Sequence, residues 1–221
     1  MKTYIYFHVC CINNWKEVFT LLMSKIHEYG LYTAVDEIRC GILGDYSDSK
    51  ELFSNPKIKV LYNYSDIGLY ETPTLNFLHE DSKTEDFKVL YLHTKGIRHY
   101  KNPNREPFVK DWVEYLSYFN IYKYNTCLQL LDIYDCVGVN MQFGQNEALH
   151  YSGNFWWSRA SYIRRLEKCI YHHYVSPEIW ISESWLGTYI SMWTSKCRHY
   201  EELYDKSNYE GKPFDLQLFS K

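Results

Sequence analysis

Short runs of aromatic and β-branched residues alternate along this chain with longer stretches whose apolar residues recur at helical spacing. The runs predict four buried strands in the first half of the chain, over residues 4–9, 37–43, 57–62 and 87–93. The helical stretches predict one helix that begins at Trp15 and stops before Gly30, and a second one over residues 108–122. Thr72-Pro73 is typical of the start of a shorter helix between the third and fourth strands.

The second half of the chain continues the alternation with shorter elements. It predicts strands over residues 135–141 and 153–157, a helix over residues 162–170, and a helix that begins at Ser176 and continues to Trp193. Residues 98–106 and 144–151 are predicted as loops. Residues 1–204 are expected to form one domain, and the polar residues 205–221 a peripheral segment or a linker.

Strands that alternate with helices predict an α/β domain with a central, mainly parallel sheet flanked by helices. In such sheets, ligands bind at the carboxyl ends of the strands. This rule selects four places as candidate ligand sites: His8 after the first strand, residues 62–64 after the third, residues 93–96 after the fourth, and the loop over residues 144–154.

Composition narrows the class of protein. The 221 residues include 24 basic and 27 acidic side chains, and a net charge of −3 excludes a basic protein that coats nucleic acid. No apolar run is long enough to span a membrane, and seven cysteines without a CxxC pair are typical of reduced thiols in the cytoplasm. The 7 Trp, 23 Tyr and 11 Phe residues favour either a surface that stacks on flat ligands or a genome with biased codons.

The turn His93-Thr94-Lys95-Gly96 is the first candidate for chemistry. A strand that ends in a tight, donor-rich turn can hold an anion, because Lys95 supplies a charge, Thr94 a hydroxyl and Gly96 a permissive backbone. The GxxxxGK spacing of a nucleotide-binding P-loop is absent. A β-turn with a solvated lysine stays open as the alternative interpretation.

The segment 150–157 is the second candidate. Gly153 allows a ligand to approach the backbone, and Ser152 and Asn154 supply hydrogen bonds for the hydroxyl groups of a sugar. Trp156 supplies an aromatic wall for its apolar face. The alternative is an ordinary core strand. Four aromatic residues lie at predicted strand ends or loops and are therefore expected to stack on a ligand: Tyr62, Tyr151, Trp156 and Trp180.

Two acidic residues after Ser176-Pro177 are the third candidate. Glu178 or Glu183 would act as a general base on a hydroxyl group if neighbouring tryptophan side chains partly buried its carboxylate. An acid that stabilises the helix dipole remains the alternative for Glu178, and a surface acid remains the alternative for Glu183.

Five segments follow one another in an order that is informative as a set: residues 89–96, 111–112, 135–140, 150–160 and 178–181. This series resembles a family of glycosyltransferases found in bacterial polysaccharide loci and in large DNA viruses, including the glycosyltransferase domain of chlorella-virus type. The resemblance covers residues 1–195. The segments 93–96 and 152–157 indicate this family only when they occur together.

The resemblance implies a single Rossmann-like GT-A domain. Its members transfer a sugar from a nucleotide-diphosphate-sugar donor, such as a UDP- or GDP-sugar, to a glycan hydroxyl. The resemblance places the base and ribose near His8, Val9 and Tyr62, with the helix that carries Thr74 closing the donor pocket.

The same resemblance assigns the reacting groups. The diphosphate would lie against His93, Thr94, Lys95 and Gly96, and the sugars against Ser152, Gly153, Asn154 and Trp156. Glu178, with Glu183 as the second choice, takes the position of the catalytic base that deprotonates the acceptor hydroxyl.

Metal binding is where the chain departs from that family. GT-A enzymes usually carry a DxD motif where this chain has residues 93–96, and the chain contains no DxD motif. No metal ligands are therefore assigned, although a divalent cation, Mn²⁺ or Mg²⁺, stays open as a cofactor. Lys95 and His93 are expected to neutralise the diphosphate instead. The remaining acidic pairs are predicted to lie in solvated loops: Asp45 with Asp48, and Glu80 with Asp81.

Three other functions stay open. They are a non-catalytic module that binds a nucleotide sugar or a carbohydrate, an assembly protein whose aromatic residues form an interface, and a hydrolase of nucleotide sugars. The expected partners are a nucleotide-sugar donor and a glycan acceptor, with no nucleic acid and no transmembrane segment. The expected location is the cytoplasm, which for a viral protein is that of the host cell.

Overall fold

A mixed sheet of eight strands forms the centre of the molecule in the computed structural model, which describes residues 1–144, 148–170, 173–184 and 186–220. The strands of these residues are β1 (Lys2–Cys10), β2 (Glu37–Leu43), β3 (Ile58–Tyr64), β4 (Phe87–His93), β5 (Cys136–Gly138), β6 (Met141–Phe143), β7 (Leu149–Tyr151), β8 (Trp156–Arg159), β9 (Tyr189–Ser191) and β10 (Gln217–Phe219). In space the sheet follows the order β3-β2-β1-β4-β8-β5-β9-β10, and β6 pairs with β7 in a separate hairpin.

Most neighbouring strands of the central sheet run parallel. β1 pairs in parallel with β2 on one side and with β4 on the other, and the pairs β2–β3 and β5–β9 are parallel as well. β8 runs antiparallel between β4 and β5, and β10 runs antiparallel to β9 at the edge. The predicted fold class, an α/β domain with a mainly parallel sheet flanked by helices, is confirmed.

The helices follow the apolar periodicity in the first half of the chain and are short in the second half. Their bounds are α1 (Trp15–Glu28), α2 (Leu31–Ala34), α3 (Thr72–Thr84), α4 (Glu106–Ser117), α5 (Tyr124–Leu130), α6 (Ala160–Ile163) and α7 (Ser176–Ile179). A π-helical turn, Tyr118–Tyr122, extends α4 to the residue where the predicted helix ends. No helix within the described residues has the length and apolar character needed to cross a membrane.

Alternation along β1 divides the core into two clusters, because successive side chains of a strand point to opposite faces of the sheet. Ile5, Phe7 and Val9 join the cluster that contains the buried residues of α1 and α4. Tyr4 and Tyr6 join the cluster that contains those of α3 and α6. His8 shares the face of Tyr4 and Tyr6, so it points towards α3.

The predicted strand over residues 135–141 is interrupted because the chain turns at Asn140. Asn140 has a left-handed φ of 50°, and its side-chain oxygen accepts hydrogen bonds from the Tyr115 hydroxyl and the Ser195 amide. The chain then enters the β6–β7 hairpin, whose second strand lies within the loop predicted over residues 144–151; residues 145–147 of that loop lie outside the described residues. The strand predicted over residues 153–157 begins later, at Trp156, because Gly153 and Asn154 have positive φ values.

The helix predicted from Ser176 to Trp193 is wrong beyond its first turn. α7 ends at Ile179, and Tyr189–Ser191 instead form β9, an inner strand of the sheet paired with β5. A short apolar run in the sequence does not distinguish a buried strand from a buried helix unless the strand that pairs with it is known. The helix predicted over residues 162–170 likewise shortens to α6, which ends at Ile163. Trp185 lies outside the described residues.

The described part of the C-terminal segment, residues 205–220, packs onto the domain. β10 extends the central sheet, and Tyr209 is 1 % exposed, with its ring 5.3 Å from that of Tyr115 and 5.0 Å from that of Tyr118. Most of the segment is exposed, but Tyr209 and β10 attach it to the domain, so it forms a peripheral part of the folded unit at the edge of the sheet.

Candidate functional site

The carboxyl ends of β1 and β4 are joined by Thr94. Its backbone amide donates to His8 O at 3.0 Å, and its hydroxyl oxygen accepts a hydrogen bond from the Cys10 amide at 3.1 Å. Thr94 is buried, and both contacts are internal to the protein. This predicted donor-binding residue therefore lies at the predicted place but supports the two strand ends.

Three of the predicted nucleotide-binding side chains form a buried cluster. Thr74 Oγ1 lies 2.8 Å from His8 Nδ1 and 2.5 Å from Tyr62 Oη. Burial lowers the pKa of His8 to about 4 and raises the pKa of Tyr62. Val9 points to the opposite face of β1, into the core. The structure thus brings His8, Tyr62 and Thr74 together as a neutral internal network beneath the edge of the sheet.

His93 is neutral and fixed at the end of β4. Its Nε2 lies 3.2 Å from the carbonyl oxygen of Gly153, which only accepts, so Nε2 carries the proton. Burial, together with the nearby positive charge of Lys95, lowers the pKa of His93 to about 3. His93 therefore supplies no positive charge at neutral pH, and Lys95 remains the cation of this turn.

Lys95 is a buried cation without an ionic partner among the described residues. Its side chain makes no hydrogen bond or ion pair there, and Nζ lies 3.8 Å from the ring centroid of Trp112 in α4. Burial lowers the pKa of Lys95, and the nearby carboxylate of Glu178 opposes that shift. Gly96 supports the turn with a φ of 88°, and a Cβ there would lie 2.2 Å from Val109 Cγ1.

Glu71 is the acidic residue of this edge that sequence reasoning missed. Its Oε2 accepts hydrogen bonds from the Tyr91 hydroxyl at 2.6 Å and from Asn154 Nδ2 at 2.7 Å. Its Oε1 lies 3.8 Å from His93 Nδ1. The signal in the sequence was its position directly before Thr72-Pro73, since a carboxylate before a helix start at a strand's carboxyl edge points towards the ligand side.

The loop before β8 is shaped by its backbone. Gly153 has a φ of 98°, and a Cβ there would lie 2.7 Å from Leu116 Cδ1, so the loop packs directly on α4. Asn154 is buried with a φ of 55°, and its side-chain oxygen accepts a hydrogen bond from Trp156 Nε1 at 2.8 Å. Ser152 lies at the margin of the cleft described below.

The aromatic side chains that were predicted to stack on a ligand lie in the core. Trp156 is fully buried and stacks on Tyr91 with ring centroids 4.9 Å apart. Tyr151 is fully buried, and Tyr62 and Trp180 are 6 % and 3 % exposed. The sequence assigned these rings to a ligand because they lie near strand ends, but at those positions they cover the α3 and α6 face of the sheet.

A cleft of about 1200 Å³ opens beside this edge. Its walls come from α7, from the β6–β7 hairpin and from the segment after β9, and include Ser152, Tyr174, Glu178, Glu183, His199 and Tyr200. Tyr174 and Tyr200 are 44 % and 37 % exposed, so they offer a ligand in the cleft exposed aromatic surface. The cleft combines hydrogen-bonding and aromatic groups, as a site for a polar organic ligand requires.

Glu178 and Glu183 both line the cleft, but they differ in exposure. Glu178 is half-buried, and within the described part of the chain its carboxylate has no hydrogen-bond or ion-pair partner. Its charge acts on Lys95 and His93, so it lies near the turn after β4. Glu183 is exposed. The geometry favours Glu178 as the acid that can take up a proton from a bound hydroxyl.

The family model described as Domain of unknown function (DUF8361) matches residues 21–173. The chain belongs to this family. The matched residues include Glu71, the turn His93-Thr94-Lys95-Gly96 and the loop before β8, whereas Glu178 follows them in the chain. Comparison with curated proteins finds no match.

Within the described residues of this DUF8361 member, no group of three or more His, Cys, Asp or Glu side chains is placed to hold a metal ion. Asp45 accepts the Ser47 amide in a turn, and Asp48 pairs with exposed Lys16. Glu80 pairs with Lys83 and Lys168 at the surface, and Asp81 pairs with Arg39.

Proposed function

We propose that the protein is a glycosyltransferase that moves a sugar from a nucleotide-diphosphate-sugar donor to a hydroxyl group of a glycan. One observation carries the proposal: within the described residues the buried cation Lys95 has no ionic partner and the Glu178 carboxylate has none, yet the charge of Glu178 acts on Lys95 at the carboxyl edge of the sheet, and Glu178 lines the large cleft. Sugar transfer needs both groups, because negative charge develops on the leaving diphosphate while the acceptor hydroxyl loses a proton.

In the proposed reaction, Glu178 accepts the proton of the acceptor hydroxyl. The oxygen forms a bond to the anomeric carbon of the donor sugar as the bond from that carbon to the diphosphate breaks, and the nucleoside diphosphate leaves with the electron pair. Lys95 stabilises the charge that grows on the diphosphate, and this stabilisation is strong because Lys95 is shielded from water.

The proposed positions of the remaining parts of the substrates follow from exposure. The base lies at the carboxyl end of β3, where Tyr64 is 42 % exposed and stacks on Tyr62 with centroids 4.5 Å apart. The sugars lie along the cleft, where Ser152 supplies hydrogen bonds and Tyr174 and Tyr200 supply aromatic surface. Tyr174 and Tyr200 thus take the role that was predicted for Trp156.

A panel of nucleotide sugars tests the proposal, with ³¹P NMR following the conversion of each donor to its nucleoside diphosphate in the presence of glycan acceptors. Each donor is run with Mn²⁺, with Mg²⁺ and with a chelator, which decides the open question of the cofactor. At least one donor is expected to be consumed with the sugar appearing on the acceptor. Consumption with release of free sugar alone would indicate a hydrolase, and binding without consumption a non-catalytic module; both results would refute the proposal.

The variant Lys95→Met removes the cation and is expected to weaken donor binding and to slow transfer. The matched control is Lys88→Met, which removes the same charge from the opposite end of β4, where Lys88 pairs with Asp132 and Leu128 O. Equal losses in the two variants would show that the effect of Lys95→Met is not specific to the site.

A further inference from the structure

Trp112 and His199 form a stacked pair in the wall of the cleft, although one lies in α4 and the other follows β9. Their ring planes are inclined by only 6°, their centroids lie 5.2 Å apart, and each residue is 4 % exposed. Both residues line the cleft of about 1200 Å³. Lys95 Nζ lies 3.8 Å from the Trp112 centroid, so the pair adjoins this buried cation.

The hydrogen bonds of His199 fix its tautomer. Asn140 Oδ1 accepts from the Tyr115 hydroxyl and the Ser195 amide, so the amide nitrogen of Asn140 faces His199 Nε2, at 3.0 Å. Ser195 Oγ accepts from Asn140 Nδ2 and from the Cys197 amide, so its hydroxyl proton is directed to His199 Nε2 at 2.8 Å. Nε2 therefore accepts, and the proton of the neutral ring is on Nδ1.

Two N–H groups in this pair have no acceptor among the residues that the structure describes. His199 Nδ1 and Trp112 Nε1 are buried, and neither has a hydrogen-bond partner among the described residues. An indole N–H only donates, and a buried donor is normally paired. Trp112 and His199 line the cleft, and Lys95 Nζ packs against the Trp112 ring, so three nitrogen donors are grouped at this place, each belonging to a residue that is at least nine-tenths buried.

We propose that Lys95, Trp112 and His199 form an oxyanion site for the diphosphate of the donor. Phosphate oxygens accept several hydrogen bonds, and their negative charge would pair with Lys95, which has no ionic partner in the described part of the chain. The identity of this ligand rests on the proposed function, whereas binding of the anion does not depend on sugar transfer. The site adds two neutral donors to the lysine, and these replace His93, whose Nε2 proton is already bonded to Gly153 O.

Titration of ¹⁵N-labelled protein with inorganic pyrophosphate at neutral pH tests the site directly. The Trp112 indole resonance, identified by its loss in Trp112→Phe, is expected to shift as pyrophosphate binds. The Trp157 indole resonance serves as the internal control, because this N–H already donates to Asn120 O, and is expected to stay in place. Pyrophosphate binding that leaves the Trp112 resonance unmoved, or the absence of binding, would overturn the proposal.

Affinities for pyrophosphate in three variants complete the test. Trp112→Phe and His199→Phe retain a flat ring but lose the N–H, and each is expected to weaken pyrophosphate binding about tenfold. Lys95→Met is expected to weaken binding at least as much. Lys88→Met is the charge control and is expected to bind as the native protein does. Native affinity in all three site variants would refute the site. Pyrophosphate binding by these residues without turnover of any donor would instead contradict only the proposed function.

Discussion

The side-chain nitrogen of Asn154 lies 2.7 Å from Glu71 Oε2, and these two residues are 83 positions apart in the chain. The same carboxylate oxygen accepts the hydroxyl of Tyr91 in β4 at 2.6 Å. Glu71 therefore joins the start of α3, the end of β4 and the loop before β8 at one point. The position of the loop relative to Lys95 and the cleft depends on this shared acceptor.

Glu71→Ala is expected to lower the free energy of unfolding, because it leaves the Tyr91 hydroxyl and the Asn154 amide without their acceptor. Each unpaired buried donor costs about 1–3 kcal/mol. Urea denaturation measures the change. Glu28→Gln, an exposed change in α1, is the control and is expected to remain within about 0.5 kcal/mol of the native protein. Equal midpoints for Glu71→Ala and the control would contradict this structural role.

The sequence predicted the parts of the fold whose signals are local. β2 and β4 were predicted with their observed bounds, since each is a buried run with β-branched or aromatic residues. β9 was not, because Tyr189–Ser191 become a strand only through pairing with β5. The candidate site also could be predicted only where its signal is local. The turn at Lys95 is visible in the sequence, whereas Glu71, Trp112 and His199 join it only through contacts between distant segments.

Three glycines allow the stability cost of a left-handed backbone to be compared with the cost of steric overlap. Gly153, Gly96 and Gly211 all have positive φ, but only at Gly211 would an added Cβ find no atom within 4 Å. Gly211→Ala is therefore expected to cost only the left-handed strain, about 1 kcal/mol. Gly153→Ala adds overlap with Leu116 and is expected to cost about 1–3 kcal/mol more. Thermal or urea unfolding of the two variants tests this order, and equal losses would contradict the close packing of the loop on α4.

Acid stability is expected to depend on Arg39, which is buried and pairs with Glu37, Asp81 and Glu85, each at 2.8 Å. Burial acts to raise the pKa of Glu85, but hydrogen bonds from Arg39 and Tyr4 outweigh it and lower the pKa below its ordinary value of 4.5. A carboxylate with a lowered pKa contributes its stability above the ordinary value and loses it as the pH falls through the folded value.

The variant Arg39→Met tests this arrangement. At neutral pH it is expected to lose about 3 kcal/mol, at the lower end for a broken buried pair because the three carboxylates are partly exposed. Between about pH 6 and pH 3, its free energy of unfolding is expected to fall less steeply than that of the native protein. Parallel pH profiles for the two proteins would show that Arg39 does not lower the pKa of Glu85 in the folded protein.

Glu178→Gln is the variant that separates catalysis from binding. Because the Glu178 carboxylate has no hydrogen-bond partner among the described residues, the change is expected to leave the unfolding midpoint and the affinity for the donor close to native. A lost general base is expected to reduce kcat by about 100-fold or more. Glu28→Gln again serves as the control and is expected to retain native kcat.

The most direct measurement of the proposed activity is therefore the rate of nucleoside diphosphate release from the best donor of the panel, with acceptor present, in the native protein and in Glu178→Gln. The native protein is expected to release nucleoside diphosphate, coupled to glycosylation of the acceptor, and the variant to lose about 100-fold in rate at unchanged donor affinity. No release from any donor by the native protein, or equal rates in the native protein and the variant, would contradict it.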